Sequence, residues 1–199
     1  MSGARKPTKD ELAAAHGRET VPDLVRPGLA LLFVGINPGL WSGATGYHFA
    51  RPGNRFWPAL HQAGLTPRQL HPSESRELLK FGIGMTKVVQ RATATAAELT
   101  LEEVRAGGEV VRNMVRKHRP RVVCFLGVGI FQQAYGVKKV KVGVQAELFE
   151  GAQLWVLPNP SGLNANYQLR DFVRLFREVG EAAGLLEGGR GARRRAPPR

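Results

Sequence analysis

The stretch Leu29-Ala30-Leu31-Leu32-Phe33-Val34-Gly35-Ile36-Asn37-Pro38-Gly39 decides the fold. Its first six residues are apolar without alternation, and the glycines and Pro38 stop the run well short of helix length. That pattern predicts a strand buried on both faces, and such strands belong to parallel sheets covered by helices. Downstream, Trp41 to Pro52 reads as a loop carrying Gly43, Gly46 and Pro52. Asn54 is placed to cap a helix through Phe56, Trp57, Leu60 and Ala63, ended by Gly64.

The same reading extends in both directions. Residues 1–28 form a polar arm with a short helical stretch near Glu11 to Ala15, ended by Pro27-Gly28. Ser73 to Lys80 is a short amphipathic helix and Gly84 to Val89 a second strand. From Thr100, the spacing of Val104, Val111, Met114 and Val115 predicts a helix weakened at Gly107-Gly108. Arg121 to Leu126 is a third strand, Gly127 to Tyr135 a helix, Lys138 to Phe149 a polar extended excursion, and Gln153 to Leu157 a fourth strand. Tyr167 to Ala183 carries Leu169, Phe172, Val173, Phe176 and Val179 on one face, a closing helix. The alternation predicts an α/β chain: a three-layer α/β/α sandwich around a mostly parallel sheet of about four strands, spanning residues 29–186. Residues 187–199 are an Arg-rich flexible tail.

Composition narrows the function. The 199 residues are 43% hydrophobic and 23% charged, ordinary for a globule with a real core. The longest apolar runs fall far below a membrane span, and the first residues lack the apolar block of a secretory signal. The expected setting is the cytoplasm, with the nucleoid of a bacterial-type cell, with no membrane partner. One cysteine, Cys124, excludes an internal disulfide and any site built from several thiolates; in VVCFLG it reads as a buried small hydrophobe. His16, His48, His61, His71 and His118 show no paired ligand spacing and read as surface or capping residues, so no metal and no cofactor are expected. The net charge of +13 points to an anionic partner. Five of those charges are arginines of residues 188–199, and the body stays basic without them.

If the sheet is parallel, the loops after its first and last strands open on one edge. They are Gly35-Ile36-Asn37-Pro38-Gly39 and Pro158-Asn159-Pro160-Ser161-Gly162-Leu163-Asn164. Asn-Pro beside Gly suits an ordinary tight turn. Yet these turns are flanked by Ile36, Leu40, Trp41, Phe49 and Leu163, the apolar walls a flat organic ligand needs. The segments GINPGLWSGATGYHFARPGNRFW and LPNPSGLN resemble the two signature segments of the mismatch-specific uracil/thymine DNA glycosylases, in the uracil-DNA glycosylase superfamily, over about Leu29 to Leu186.

The resemblance implies a monofunctional glycosylase that flips uracil, above all in G:U mismatches and with other modified pyrimidines in reach, out of duplex DNA in base excision repair. It implies a uracil-DNA glycosylase-like fold, acting as a monomer on double-stranded DNA that holds uracil or a mismatched base. Asn37 would be catalytic: its amide is no base, but its carbonyl can orient a water against C1′. Backbone N–H groups of the Gly35 to Gly39 turn would polarise the base carbonyls. Phe49 would stack on the base, with Ile36, Gly39, Lys87 and Asn159 in the same pocket and Ser42 near C5, where it would crowd a thymine methyl. Leu163 would wedge into the emptied stack, with Ser161, Gly162 and Asn164 around it and the backbone of Gly162 and Asn164 facing the widowed guanine.

Two departures from that pattern bear on chemistry. Many relatives carry an acidic residue after the TK segment, where this chain has Gln90, so a second catalytic carboxylate is not expected. Bacterial relatives end the wedge segment in Ser-Arg, where this chain has Asn164-Ala165, removing one charged DNA contact. Lys87 is assigned no Schiff base, and a strand-end surface lysine is its plain alternative. The rival reading is a non-catalytic, basic nucleic-acid-binding α/β module, which would explain the charge but would not need Asn37. Gly127-Val128-Gly129 after a strand suggests a dinucleotide loop, but Gln132 takes the third glycine position and no suitable acid follows.

Overall fold

A computed structural model of the chain describes residues 5–187. The expected Arg-rich tail therefore lies almost wholly outside the described residues. The elements run α1 (Lys9–Ala14), β1 (Leu31–Gly35), α2 (Leu40–Thr45), α3 (Phe56–Gln62), a 3-10 helix (Pro72–Phe81), β2 (Ile83–Lys87), α4 (Leu101–His118), β3 (Val122–Leu126), α5 (Val128–Tyr135), β4 (Gly143–Phe149), β5 (Ala152–Leu157) and α6 (Leu169–Ala182). The five strands form one sheet in the order β2-β1-β3-β5-β4. Four are parallel; β4 alone is antiparallel, paired to β5 from Gly143 opposite Val156 to Phe149 opposite Ala152.

The sheet thus has five strands where about four were expected. The apolar runs do become strands buried at nearly every position. The fifth was legible only as an extended excursion because an edge strand solvates much of its surface: Val144 and Leu148 are exposed and the strand contains Gln145 and Glu147. Side chains alternate across the sheet into two cores. Leu31, Phe33 and Cys124 face one, closed by Phe56, Trp57, Phe172 and Phe176 of α3 and α6. Leu32, Val34 and Phe125 face the other, closed by Val104, Val111, Val115 and Phe131 of α4 and α5. This is the α/β/α sandwich. Cys124 is fully buried, and burial raises its thiol pKa well above the ordinary range.

Three local readings change. Residues 41–52 are not all loop, because α2 forms between Gly39 and a left-handed Gly46. The segment after His71 is a 3-10 helix, opened by His71 accepting from Ser73 N–H and Glu74 accepting from His71 N–H. Gly107 is no weak point in α4: a Cβ there would lie 2.0 Å from the carbonyl oxygen of Val88, so its lack of side chain lets the helix close onto the chain leaving β2. The polar arm packs against the sheet. Ala15, Val21 and Leu24 are buried, and Leu24 exchanges backbone hydrogen bonds with Met85.

Candidate active site

Strand order places β2 on one side of β1 and β3 on the other, so the chain reverses direction of growth beside β1. In open α/β sheets the crevice at that reversal, outside the strand C-termini, takes ligands. A cavity of about 880 Å³ opens there. Ile36, Asn37, Gly39, Ser42, Phe49, Lys87, Asn159, Ser161, Leu163 and Asn164 all line it, drawn from turns more than a hundred residues apart. Gly162 does not; it packs on Gly53, where a Cβ would meet the Gly53 oxygen at 2.7 Å.

The Gly35–Gly39 turn is held rigidly. The carbonyls of Gly35, Ile36 and Pro38 accept from the backbone N–H groups of Val88, Val89 and Thr93 at 3.0, 2.9 and 3.1 Å. The Asn37 side chain is fixed by the same segment. Its Nδ2 donates to the Thr93 hydroxyl at 2.7 Å, to the Arg91 carbonyl at 3.1 Å and to the Pro38 carbonyl at 3.2 Å. Two of these partners can only accept, and Thr93 spends its own proton on the Thr95 carbonyl at 2.8 Å. The amide can therefore take one orientation only, nitrogen inward, and among the described residues Oδ1 has no protein partner. Arg91 is itself clamped by Glu103, at 2.5 and 3.0 Å.

Phe49 stacks on Phe56, ring centroids 4.3 Å apart and 17° from parallel, which leaves its other face to the cavity. Its φ of 51° is left-handed, a cost of about 1–2 kcal/mol for a residue with a Cβ, which that packing offsets. Ser42 is buried and its Oγ accepts from Ala50 N–H at 3.2 Å, which leaves its own proton to donate.

Lys87 is not a surface lysine: its side chain is 3% exposed. Its Nζ donates to Asp23 Oδ1 at 2.9 Å and to the Val21 carbonyl at 2.6 Å, and Asp23 Oδ1 also accepts from Thr86 Oγ1 at 2.9 Å. His48, expected at the surface or at a cap, is 6% exposed and lines the cavity. Burial chiefly pushes its pKa down to about 4, aided by the Lys87 charge and opposed by its contact with the Pro22 carbonyl and by Asp23. No Asp or Glu lines the cavity among the described residues, and Gln90 does not line it. An amide carbonyl, a ring face, a hydroxyl and an ammonium are among the groups it offers, beside the His48 imidazole and the Arg51 guanidinium.

The turn after β5 is built as a rigid tip. Arg55 Nη1 donates to the carbonyls of Ser161 and Asn164 at 2.8 and 3.0 Å, and Arg55 N–H to that of Pro160 at 2.9 Å. Asn159 Oδ1 accepts from Ser161 N–H, and Asn164 Nδ2 donates to the Asn159 carbonyl. Leu163 is 74% exposed at the tip of this braced turn. The Asn164 N–H donates to the Ser161 carbonyl, while its own carbonyl accepts one bond from Arg55 and keeps a second lone pair. Gly162 makes no such bond among the described residues.

Several contributors carried no sequence signal. Thr93 and Arg91 meet Asn37 only because the chain leaving β2 runs on beside the β1 turn. Arg51 lines the mouth, and Leu12 and Val21 bring the N-terminal arm to the wall. Phe49, Arg51 and Arg55 all lie in the quoted signature segment, but only Phe49 drew a role from it. A family model described as the uracil DNA glycosylase superfamily matches residues 22–180.

Proposed function

The chain belongs to the uracil DNA glycosylase superfamily, and on that premise we propose that it is a monofunctional, mismatch-specific glycosylase that excises flipped uracil, above all opposite guanine. Membership supports a DNA glycosylase with DNA as its partner. The observation that carries the hydrolytic reading is the fixed polarity of Asn37: with Nδ2 held by three acceptors, Oδ1 is left to the cavity.

Hydrolysis breaks the C1′–N1 bond, whose electron pair leaves with the uracil as an anion, and joins a water oxygen to C1′. The sugar passes through a cationic state that makes attack easy, so the water needs orientation more than deprotonation, and its proton is lost to solvent or to the departing base. Asn37 Oδ1 accepts a hydrogen bond from that water and aims it. The base lies on the free face of Phe49, with the Ser42 hydroxyl near C5, where a thymine methyl would collide. Leu163 enters the gap left in the stack; an exposed leucine on a turn braced by Arg55 supports that role. The Gly162 backbone and the Asn164 carbonyl, which keeps a lone pair, face the widowed guanine.

The test is incubation without metal with end-labelled duplexes holding U opposite G, U opposite A and T opposite G, followed by alkali. Cleavage is expected at U, most strongly opposite G. Asn37→Ala is expected to slow release on the order of 100-fold while keeping duplex affinity. Intact strands in all three duplexes would remove the reading and leave a DNA-binding module.

A further inference from the structure

We propose that Lys138, Lys139 and Lys141 form a phosphate-binding flank that holds the duplex beside the Leu163 turn, a step that rests on the glycosylase reading of the cavity. Because β4 is antiparallel, it starts where β5 ends: Gly143 lies opposite Val156, two residues before Pro158 opens the turn that carries Leu163. Neighbouring strands are about 4.8 Å apart. The lysine segment therefore enters the sheet at the end on which the cavity opens, about one strand spacing from the strand that leads into the wedge turn.

The chemistry of the segment is one-sided. All three lysines are exposed, and among the described residues none is in an ion pair. Arg68, Arg91, Arg112 and Arg116, by contrast, are matched to carboxylates. Three unmatched ammonium groups in four residues face a polymer that bears a charge every ~1.7 Å of axis.

The backbone beneath them is also anchored. Gln132 Nε2 donates to the Lys138 carbonyl at 2.9 Å, and Gln145 Nε2 to the carbonyls of Lys141 and Gly143 at 2.7 and 2.9 Å. Val140 packs on the core between the lysines. The main chain is positioned before any ligand arrives, so binding need order only the side chains. Arg51, exposed at the cavity mouth, supplies positive charge from the β1 side of the Leu163 turn; the lysines supply it from the β4 side.

The test compares the full chain with K138Q/K139Q/K141Q for binding to an undamaged duplex across roughly 50 to 200 mM salt. The slope of log K against log salt is expected to become shallower by about 2 to 3, since each lost phosphate contact removes about 0.9. A control, R76Q/K80Q/K117Q, takes the same charge from exposed positions on the elements that lead into β2 and β3 at the opposite edge, and is expected to change the slope by less than about 1. An unchanged slope in the lysine variant, as a protein partner on this segment would give, overturns the inference, and so do equal changes in both variants. The two readings fail separately. Lysine-dependent binding without base release would sink the glycosylase reading alone, whereas uracil release with dispensable lysines would sink this one alone.

Discussion

Asn37 works only while its amide keeps one face inward, and the shortest bond that holds it there comes from Thr93. Thr93→Val preserves shape and deletes that acceptor, a loss of about 1 to 1.5 kcal/mol of positioning. Uracil release is expected to slow roughly tenfold with duplex affinity unchanged, read from single-turnover rates beside binding curves. His48 makes a second prediction. The folded chain holds it at about 4 and the unfolded chain near 6.5, so between those values the unfolded state binds more protons. Stability should therefore fall as pH drops from 6.5 to 4, by roughly 3 kcal/mol at most. Glu74 and Glu103, held at about 2 by hydrogen bonds from Arg68 and Arg91, lose their contribution below 4.5, so the two windows overlap only between 4.5 and 4. Urea unfolding at pH 7 and pH 4.5 checks this, and His48→Gln should flatten the difference. Asn37 and Phe49 were visible in the sequence because their motif is contiguous. Thr93, Arg91 and Asp23 were not, because each reaches the site through strand pairing rather than spacing.

The β5–α6 turn behaves as one element: Arg55 and the side chains of Asn159 and Asn164 satisfy its backbone so that Leu163 can stay in water. Leu163→Ala removes the wedge and leaves the turn intact. Release from duplex is expected to fall about tenfold or more, and release from single-stranded uracil DNA to stay unchanged, because only a duplex has a gap to fill. Parallel runs of labelled single and double strands decide it. Among the elements, β1, β3 and β5 were legible from short apolar runs, and β2 from the strand-length segment Gly84 to Val89 despite its Thr86-Lys87. The edge strand β4 was not, since half of its surface meets water and its pattern resembles a polar connection.

At the scale of the whole molecule, the N-terminal arm is part of the domain. Gly17 N–H donates to the Ala92 carbonyl, Ala92 N–H to that of Arg18, and Gly43 sits against Ala15 and Ala92 with no room for a Cβ. Deleting residues 1–20 is expected to lower the melting temperature by roughly 4–8 °C, the equivalent of about 2 kcal/mol in a chain of this size. A loosely attached arm would leave it unchanged, and thermal denaturation followed by circular dichroism reads the outcome. The arm is polar and short, so composition sets it apart, but its few apolar residues close the cavity wall and cover β2. The sequence by itself determined the layered α/β class, the four buried strands and the two turns that face each other, because burial on both faces and turn chemistry are written in neighbouring residues. Only the tertiary structure decided which way the Asn37 amide points, that Lys87 is buried against Asp23, that the arm lines the cavity, and that the lysine segment enters at the sheet end on which it opens. Those depend on which atoms meet across pairings that span the chain, and local periodicity carries no record of them.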